Sequence, residues 1–461
     1  MKKVQHSKQQ RQQSICKKVS TIKQNQFYDF LSEDVCHQVI KEHTSNTRDR
    51  QYSPTTTLSM FIYQMLSEDS SCQNAVNNLN VEKIKSGDST CSSNTAAYCR
   101  ARQRLPQGVI EELVRKSGKH LAMNAPKAWL WQSRRVKFAD GTTIILPDTL
   151  DNQSHFPQHG HQAEGAGFPL VRLVAVLCLS TGGLMDVSMG AFKGKGTGEH
   201  SLLRELLDCF EEGDILLADS YYASYFLVTE LINRGVDVLF EQHASRKTDF
   251  RKGKKQGPRD HIVSWKKPKR PSWMSREEYK SYPESIRMRE VKVDKKVLVT
   301  TILSKKVASK NELGKLYLLR WHVELDLRNI KTTLGMEMLS CKTAEMCKKE
   351  LWIYMLGYNV IRILMSEAGA YTGRQTRDIS FKHTLQIWLA WVTDSCSVFS
   401  RNEHLELLLS LITEIRVGNR PGRVEPRAVK RRPKSYPRLK SPRRIERENI
   451  IKYGHTKKMA A

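Results

Sequence analysis

The chain has 461 residues, with 76 Lys and Arg against 48 Asp and Glu, giving a formal net charge of +28. That length supports a substantial core and roughly two to four domains, which excludes a mini-protein held by disulfides or metal. So large a cationic excess marks a polyanionic partner, nucleic acid rather than a membrane: no apolar run reaches about 18 residues, and the basic stretches face no hydrophobic stripe.

Residues 1–28 carry seven Lys and Arg, no acid and no apolar stretch, so a secretory signal is not expected and the predicted location is cytoplasmic. The ten cysteines lack CxxC spacing, which predicts reduced thiols and no zinc site. A basic segment over 1–25 leads into a helical DNA-binding domain over 26–130, with helices near 27–42 and 57–66. Ser, Asn and Thr at 92–95 then start a helix that carries Arg100, Arg102 and Arg104, read as DNA contacts.

From Arg135 the pattern changes to strands. Residues 136–140 alternate, 142–146 are β-branched, 171–179 form an apolar run suited to a sheet covered on both faces, and 184–189 follow a Thr-Gly-Gly turn. The glycine-rich loop 194–198 lacks the P-loop order of residues, so no nucleotide is expected there. A strand at 214–219, a helix at 222–233 and a strand at 236–241 complete an α/β core.

Residues 243–308 read as a basic, β-rich insertion: eleven Lys and Arg against two acids lie between Arg246 and Arg270, and strands are predicted at 285–293 and 296–303. Helices resume near 311 and continue through 341–365, 381–391 and 402–415. The last segment, 416–461, holds sixteen Lys and Arg, three Glu and five prolines, and is expected to be an extended or disordered DNA-contacting arm, Arg431 and Arg432 among its contacts. The domains are thus 1–25, 26–130, 131–242, 243–308, 309–415 and 416–461.

Asp140 and Asp219 each close an apolar strand on the pleat face of the residues two and four before it, a costly place for a carboxylate unless it is paired or metal-bound. Asp140-Gly141 is also a turn pair, and Asp219-Ser220 also a helix N-cap. Further on, Tyr317, Arg320, Glu324 and Lys331 stand at offsets of zero, three, seven and fourteen; at about 100° per residue they share a roughly 60° arc of one helix. Glutamate suits a hard divalent cation, and arginine and lysine suit phosphate. If the two strands are neighbours, Asp140, Asp219 and Glu324 form a two-metal site for in-line attack on phosphodiesters.

The segments around Asp140-Gly141-Thr142, 217–222 and Tyr317-x2-Arg320-x3-Glu324-x6-Lys331 resemble the three signature regions of DDE-class insertion-sequence transposases, specifically the insertion sequence four family, over about 135–335. The resemblance implies a ribonuclease-H-like mixed sheet with flanking helices, interrupted by a β-rich insertion, beside an N-terminal all-α domain. It implies a bacterial, nucleoid-associated enzyme, acting as a homodimer or higher assembly, that binds its element's terminal inverted repeats. Cleavage and transfer of 3′-OH ends to target DNA would use two Mg²⁺ or Mn²⁺ ions. Tyr317, Arg320 and Lys331 would contact the DNA backbone. Ser220 departs from the basic residue common after the second aspartate, and Trp265 or Trp273 would correspond to a tryptophan that holds a flipped base in some relatives. The alternatives are a ribonuclease-H-like nuclease without strand transfer and an inert, transposase-derived repressor.

Overall fold

A computed structural model describes residues 33–44, 51–161, 163–393, 401–417 and 441–454. Within them the N-terminal region is helical: α1 (Glu33–His43), α2 (Pro54–Leu66), α3 (Cys72–Lys85), α4 (Ala96–Arg104) and α5 (Gln107–Met123). Ser53 and Ser71 accept hydrogen bonds from Thr56 N and Asn74 N, capping α2 and α3, and Pro54 fills a first-turn position where its missing amide costs nothing.

The next residues build one sheet from β1 (Val136–Ile145), β2 (Leu170–Cys178), β3 (Leu184–Ala191), β4 (Ile215–Ala218), β5 (Asp237–Glu241), β6 (Lys254–Gly257), β7 (Asp260–Lys266), β8 (Ser285–Val293) and β9 (Lys296–Thr300). Their spatial order is β3-β2-β1-β4-β5-β9-β8-β7-β6. β1 is parallel to β4 and β4 to β5, whereas the other neighbours are antiparallel. An antiparallel meander followed by two parallel strands is the ribonuclease-H-like pattern expected from the sequence. The helices α6 (Leu150–His155), α7 (Glu199–Arg204), α8 (Tyr225–Asn233) and α9 (Arg276–Ser281) lie between strands in the chain.

Strand periodicity sorts the core into two layers. Val136, Phe138, Ile215, Leu217 and Leu239 bury on one face; Ala139, Leu216, Ala218, Val238 and Phe240 bury on the other, with α7 and α8 residues. On the first face lie α10 (Lys310–Leu318), α11 (Trp321–Arg328) and the 29-residue α12 (Ala344–Thr372). α12 packs against α2, α5 and β3, and also against α13 (Phe381–Thr393) and α14 (Arg401–Ile412), so it is apolar nearly all round. Thr343 caps its start, and Gly373, at φ +70°, supplies the left-handed residue that ends it.

Three expectations change. Residues 136–146 are not two strands: β1 runs unbroken through Asp140 and Gly141, because β2 pairs with it from Lys137 to Ile145. The insertion strands extend the central sheet, β9 pairing with β5 at Leu239↔Thr300, Phe240↔Val299 and Glu241↔Leu298. The tail is not wholly extended. Pro442 is its last proline and stands at the N-cap of α15 (Arg443–Tyr453), where the ring is tolerated. Arg443 pairs with Asp148, covers the Phe168 ring at 4.5 Å and donates its amide to Gly165 O at 3.1 Å. Arg431 and Arg432 lie outside the described residues.

Candidate active site

Register places the acids. β1 and β4 pair Val136↔Ile215, Lys137↔Leu216 and Phe138↔Leu217, and β4 and β5 pair Leu217↔Leu239 and Ala218↔Phe240. Two residues beyond the Phe138–Leu217–Leu239 row stand Asp140, Asp219 and Glu241, one from each of three adjacent parallel strands. The carboxyl ends of adjacent parallel strands are where an open α/β sheet presents its crevice. Glu241 was missed in the sequence, although its signal, an acid closing an apolar strand, was that of Asp219.

Asp140 Oδ1 accepts the Gly141 amide at 2.9 Å. Burial, joined by the nearby Asp219 and Glu199 carboxylates, pushes its pKa up to about 6, against the lowering pull of the Gly141 amide and the Arg320 guanidinium. Asp219 Oδ1 accepts from Tyr221 N at 2.9 Å, so it also caps the turn Ser220–Tyr222. Because Asp140 binds its proton more tightly when folded, its charge costs stability as pH rises from about 4 toward 6 and above. Asp140→Asn should therefore raise the melting temperature more at pH 8 than at pH 5, by about 2 °C in calorimetry without divalent metal.

Glu199 is a further carboxylate that the sequence did not point to. It opens α7, and a Cβ at Gly141 would lie 2.4 Å from its carboxyl carbon, so only glycine there leaves room for Glu199 beside the Asp140 strand. Tyr222 Oη donates to Glu199 Oε2 at 3.3 Å, and His200 Nε2 bonds Tyr221 O at 2.7 Å. The start of α7 is thereby tied both to β1 and to the turn that follows Asp219. Burial keeps the His200 pKa low, favouring a neutral ring that donates from Nε2.

The segment carrying Tyr317, Arg320, Glu324 and Lys331 is not one ideal helix. α10 ends at Leu318, bonds from Leu319 N to Leu316 O and from Arg320 N to Tyr317 O tighten the join, and residues 329–333 form a π turn after α11. Arg320 Nη2 contacts Glu324 Oε1 at 3.2 Å, and Lys331 Nζ donates to Thr142 Oγ1 and Thr143 O at 3.1 and 3.2 Å, binding this segment to β1 just past Asp140. Tyr317 departs from a DNA-facing position: it is 6% exposed, with its hydroxyl toward Glu241 Oε2 at 3.4 Å, while Lys296 pairs with the same carboxylate at 2.6 Å. Beneath Glu324, buried Asp326 accepts from Arg362 and, at 2.7 Å, from Arg377, anchoring α11 to α12.

Elsewhere, Arg100 and Arg104 are exposed on one face of α4, but Arg102 turns inward at 8% exposure, over the Phe61 ring, and cannot read DNA from the surface. Trp265 is a core residue, 2% exposed and donating to Glu290 at 3.0 Å; Trp273 is 54% exposed under the Arg204 guanidinium.

The donors fit a hard divalent cation in kind: all are carboxylate oxygens, and the Asp140 pKa, raised first by burial and then by Asp219 and Glu199, marks a carboxylate whose charge a cation would stabilise. Among the described residues, however, no three His, Cys, Asp or Glu side chains form a ready-made metal cluster, and Glu324 gives an oxygen to Arg320.

A ribonuclease-H-like sheet with aspartates at the ends of two adjacent parallel strands and a glutamate helix against β1 is the layout of the DDE class. The transposase DDE-domain family model matches residues 131–360, and this chain belongs to that family, in its insertion sequence four branch. It is 26% identical over 357 residues to the transposase InsG of insertion sequence element IS4 from Escherichia coli strain K12, covering 74% of this chain and 78% of that protein. No helix among the described residues is long and apolar enough to cross a membrane.

Proposed function

We propose that the protein binds the terminal inverted repeats of its own element, cleaves them and joins the freed 3′-OH ends to target DNA. The observation that carries this reading is the alignment of Asp140 and Asp219 at the same level of two adjacent parallel strands, with the Glu324 helix packed on β1. Asp140, Asp219 and Glu324 would hold two Mg²⁺ or Mn²⁺ ions, which when bound supply activation of the attacking oxygen and neutralisation of the leaving one.

The remaining work belongs to the chain. Asp140, mostly ionised above its pKa of about 6, would present a carboxylate to the ions, Glu324 would turn to them from Arg320, and Arg320 would then be free to grip a backbone phosphate next to the cut. Lys331 fixes this segment to β1 and places a second cation beside the DNA, contributing register rather than sequence reading. Tyr317 holds the end of β5 through Glu241. Arg100, Arg104 and the tail cations Arg431 and Arg432 add backbone contacts, and a homodimer or larger assembly brings two ends together.

Incubating pre-cleaved element ends with a supercoiled plasmid and Mg²⁺ tests the joining step. Strand-transfer products are expected; cutting without them would leave a ribonuclease-H-like nuclease. Gly141→Ala should reduce end cleavage by about 10- to 100-fold, because the new methyl displaces Glu199 and disturbs the fork between β1 and β4. The check is initial cleavage rate beside an unchanged melting temperature.

A further inference from the structure

The inward turn of Arg102 leads to a second feature. Between the N-terminal helices and the catalytic body lies an open cavity of about 650 Å³, lined by Arg102, Ser71, Cys72, Lys342 and Thr343 among others. Arg102 is 8% exposed, no carboxylate among the described residues pairs with it, and its buried Nε has no hydrogen-bond partner; only Nη1 is engaged, by Gln64 Oε1 at 3.2 Å. Nε is sealed from the cavity, so the donor an anion there would meet is Nη2, and a largely buried guanidinium with a donor unspent is costly unless an anion completes it.

Two long helices begin at the same wall. Ser71 caps α3 and Thr343 caps α12, closing the amides of Asn74 and Met346, while Asp151 takes that of Ala344. The positive ends of both helices therefore border the cavity, and Lys342 adds an exposed ammonium. Asp69 also lines it, but its Oδ1 is turned to the Ser71 amide at 2.9 Å.

We propose that this cavity binds a phosphate group, and that in the working complex the phosphate belongs to the DNA backbone. The DNA assignment rests on the proposed function; the phosphate chemistry rests on the cavity alone. Held there, one backbone phosphate would clamp the N-terminal helices to the catalytic body, since Thr149 Oγ1 bonds Lys342 O and so joins the cavity wall to the segment after β1.

The test uses the full chain with Lys342→Ala, a surface change that spares folding, and Arg102→Gln. Inorganic phosphate, at constant ionic strength against chloride, should raise the wild-type melting temperature and slow iodoacetamide labelling of Cys72 and Cys99, which line the same cavity. Lys342→Ala should weaken the phosphate dissociation constant about tenfold. On DNA, scanning single methylphosphonate linkages through an element end should find one position that costs the wild type about tenfold in affinity and costs either variant nothing.

A phosphate effect without any coupled linkage would keep the anion site but overturn its assignment to DNA. If phosphate neither stabilises nor protects the thiols and no linkage couples, the proposal is wrong. None of these readouts requires cleavage, so a failed cutting assay would strike the proposed function and leave the phosphate site standing.

Discussion

Asp326→Ala should destabilise the protein by about 3–5 kcal/mol, a loss typical of removing one partner from a buried ion cluster. Asp326 is fully buried and accepts from both Arg362 and Arg377, whose other donors are already placed: Arg362 Nε on Tyr358 Oη at 2.8 Å, and Arg377 on Leu179 O and Cys178 O at 2.7 and 3.0 Å. Truncation would strand two guanidinium groups in the layer between α11, α12 and the sheet. Because the same carboxylate anchors α11, the change also loosens Glu324, two residues away. Chemical denaturation should show a lower midpoint with an unchanged slope, whereas Asp378→Ala, on the half-exposed neighbouring turn, should cost less than about 1 kcal/mol.

Asp140→Ala and Asp219→Ala should each abolish detectable strand cleavage, at least about a thousandfold, while leaving binding to element ends within a few fold. The asymmetry follows from position. Both aspartates sit at the strand fork where reacting groups would meet, whereas affinity for DNA comes from the surplus of lysine and arginine across the chain. Asp140→Ala should gain some stability above pH 6, since it removes a carboxylate whose charge is disfavoured by burial and by Asp219, whereas Asp219→Ala should lose about 1 kcal/mol with the cap it gives the Ser220–Tyr222 turn. Gel-shift affinity and cleavage rate measured on the same preparations separate the two effects.

The two aspartates were legible because each closes an apolar strand, alternating over 136–140 and continuously apolar over 215–218, and a strand's period of two fixes the face of the acid. Their adjacency was not, since β1 and β4 are separated by two strands and two α-helices in the chain and only long-range pairing sets their register. Glu241 carried the same local signal as Asp219 and could have been found. Glu199 could not: what places it is the missing side chain of Gly141, a close approach across 58 residues.

The four-residue pattern of 317–331 was visible as a spacing, but the tight join at Leu319 and Arg320 and the π turn behind α11 change the rotation per residue, so a uniform helix overstated how closely the four side chains align. In α4 the burial of Arg102 was foreshadowed: Tyr98, Ala101, Arg102 and Leu105 have the spacing of one helical face, and three of those four belong in a core. Reading the arginines as a set hid it.

Cleavage of end-labelled element DNA in Mg²⁺ by wild type and by Glu324→Ala, at equal end occupancy, addresses the central claim most directly. The wild type should nick the ends and the variant should bind them uncut; wild-type cutting by Glu324→Ala would show that Asp140, Asp219 and Glu324 are not the catalytic set.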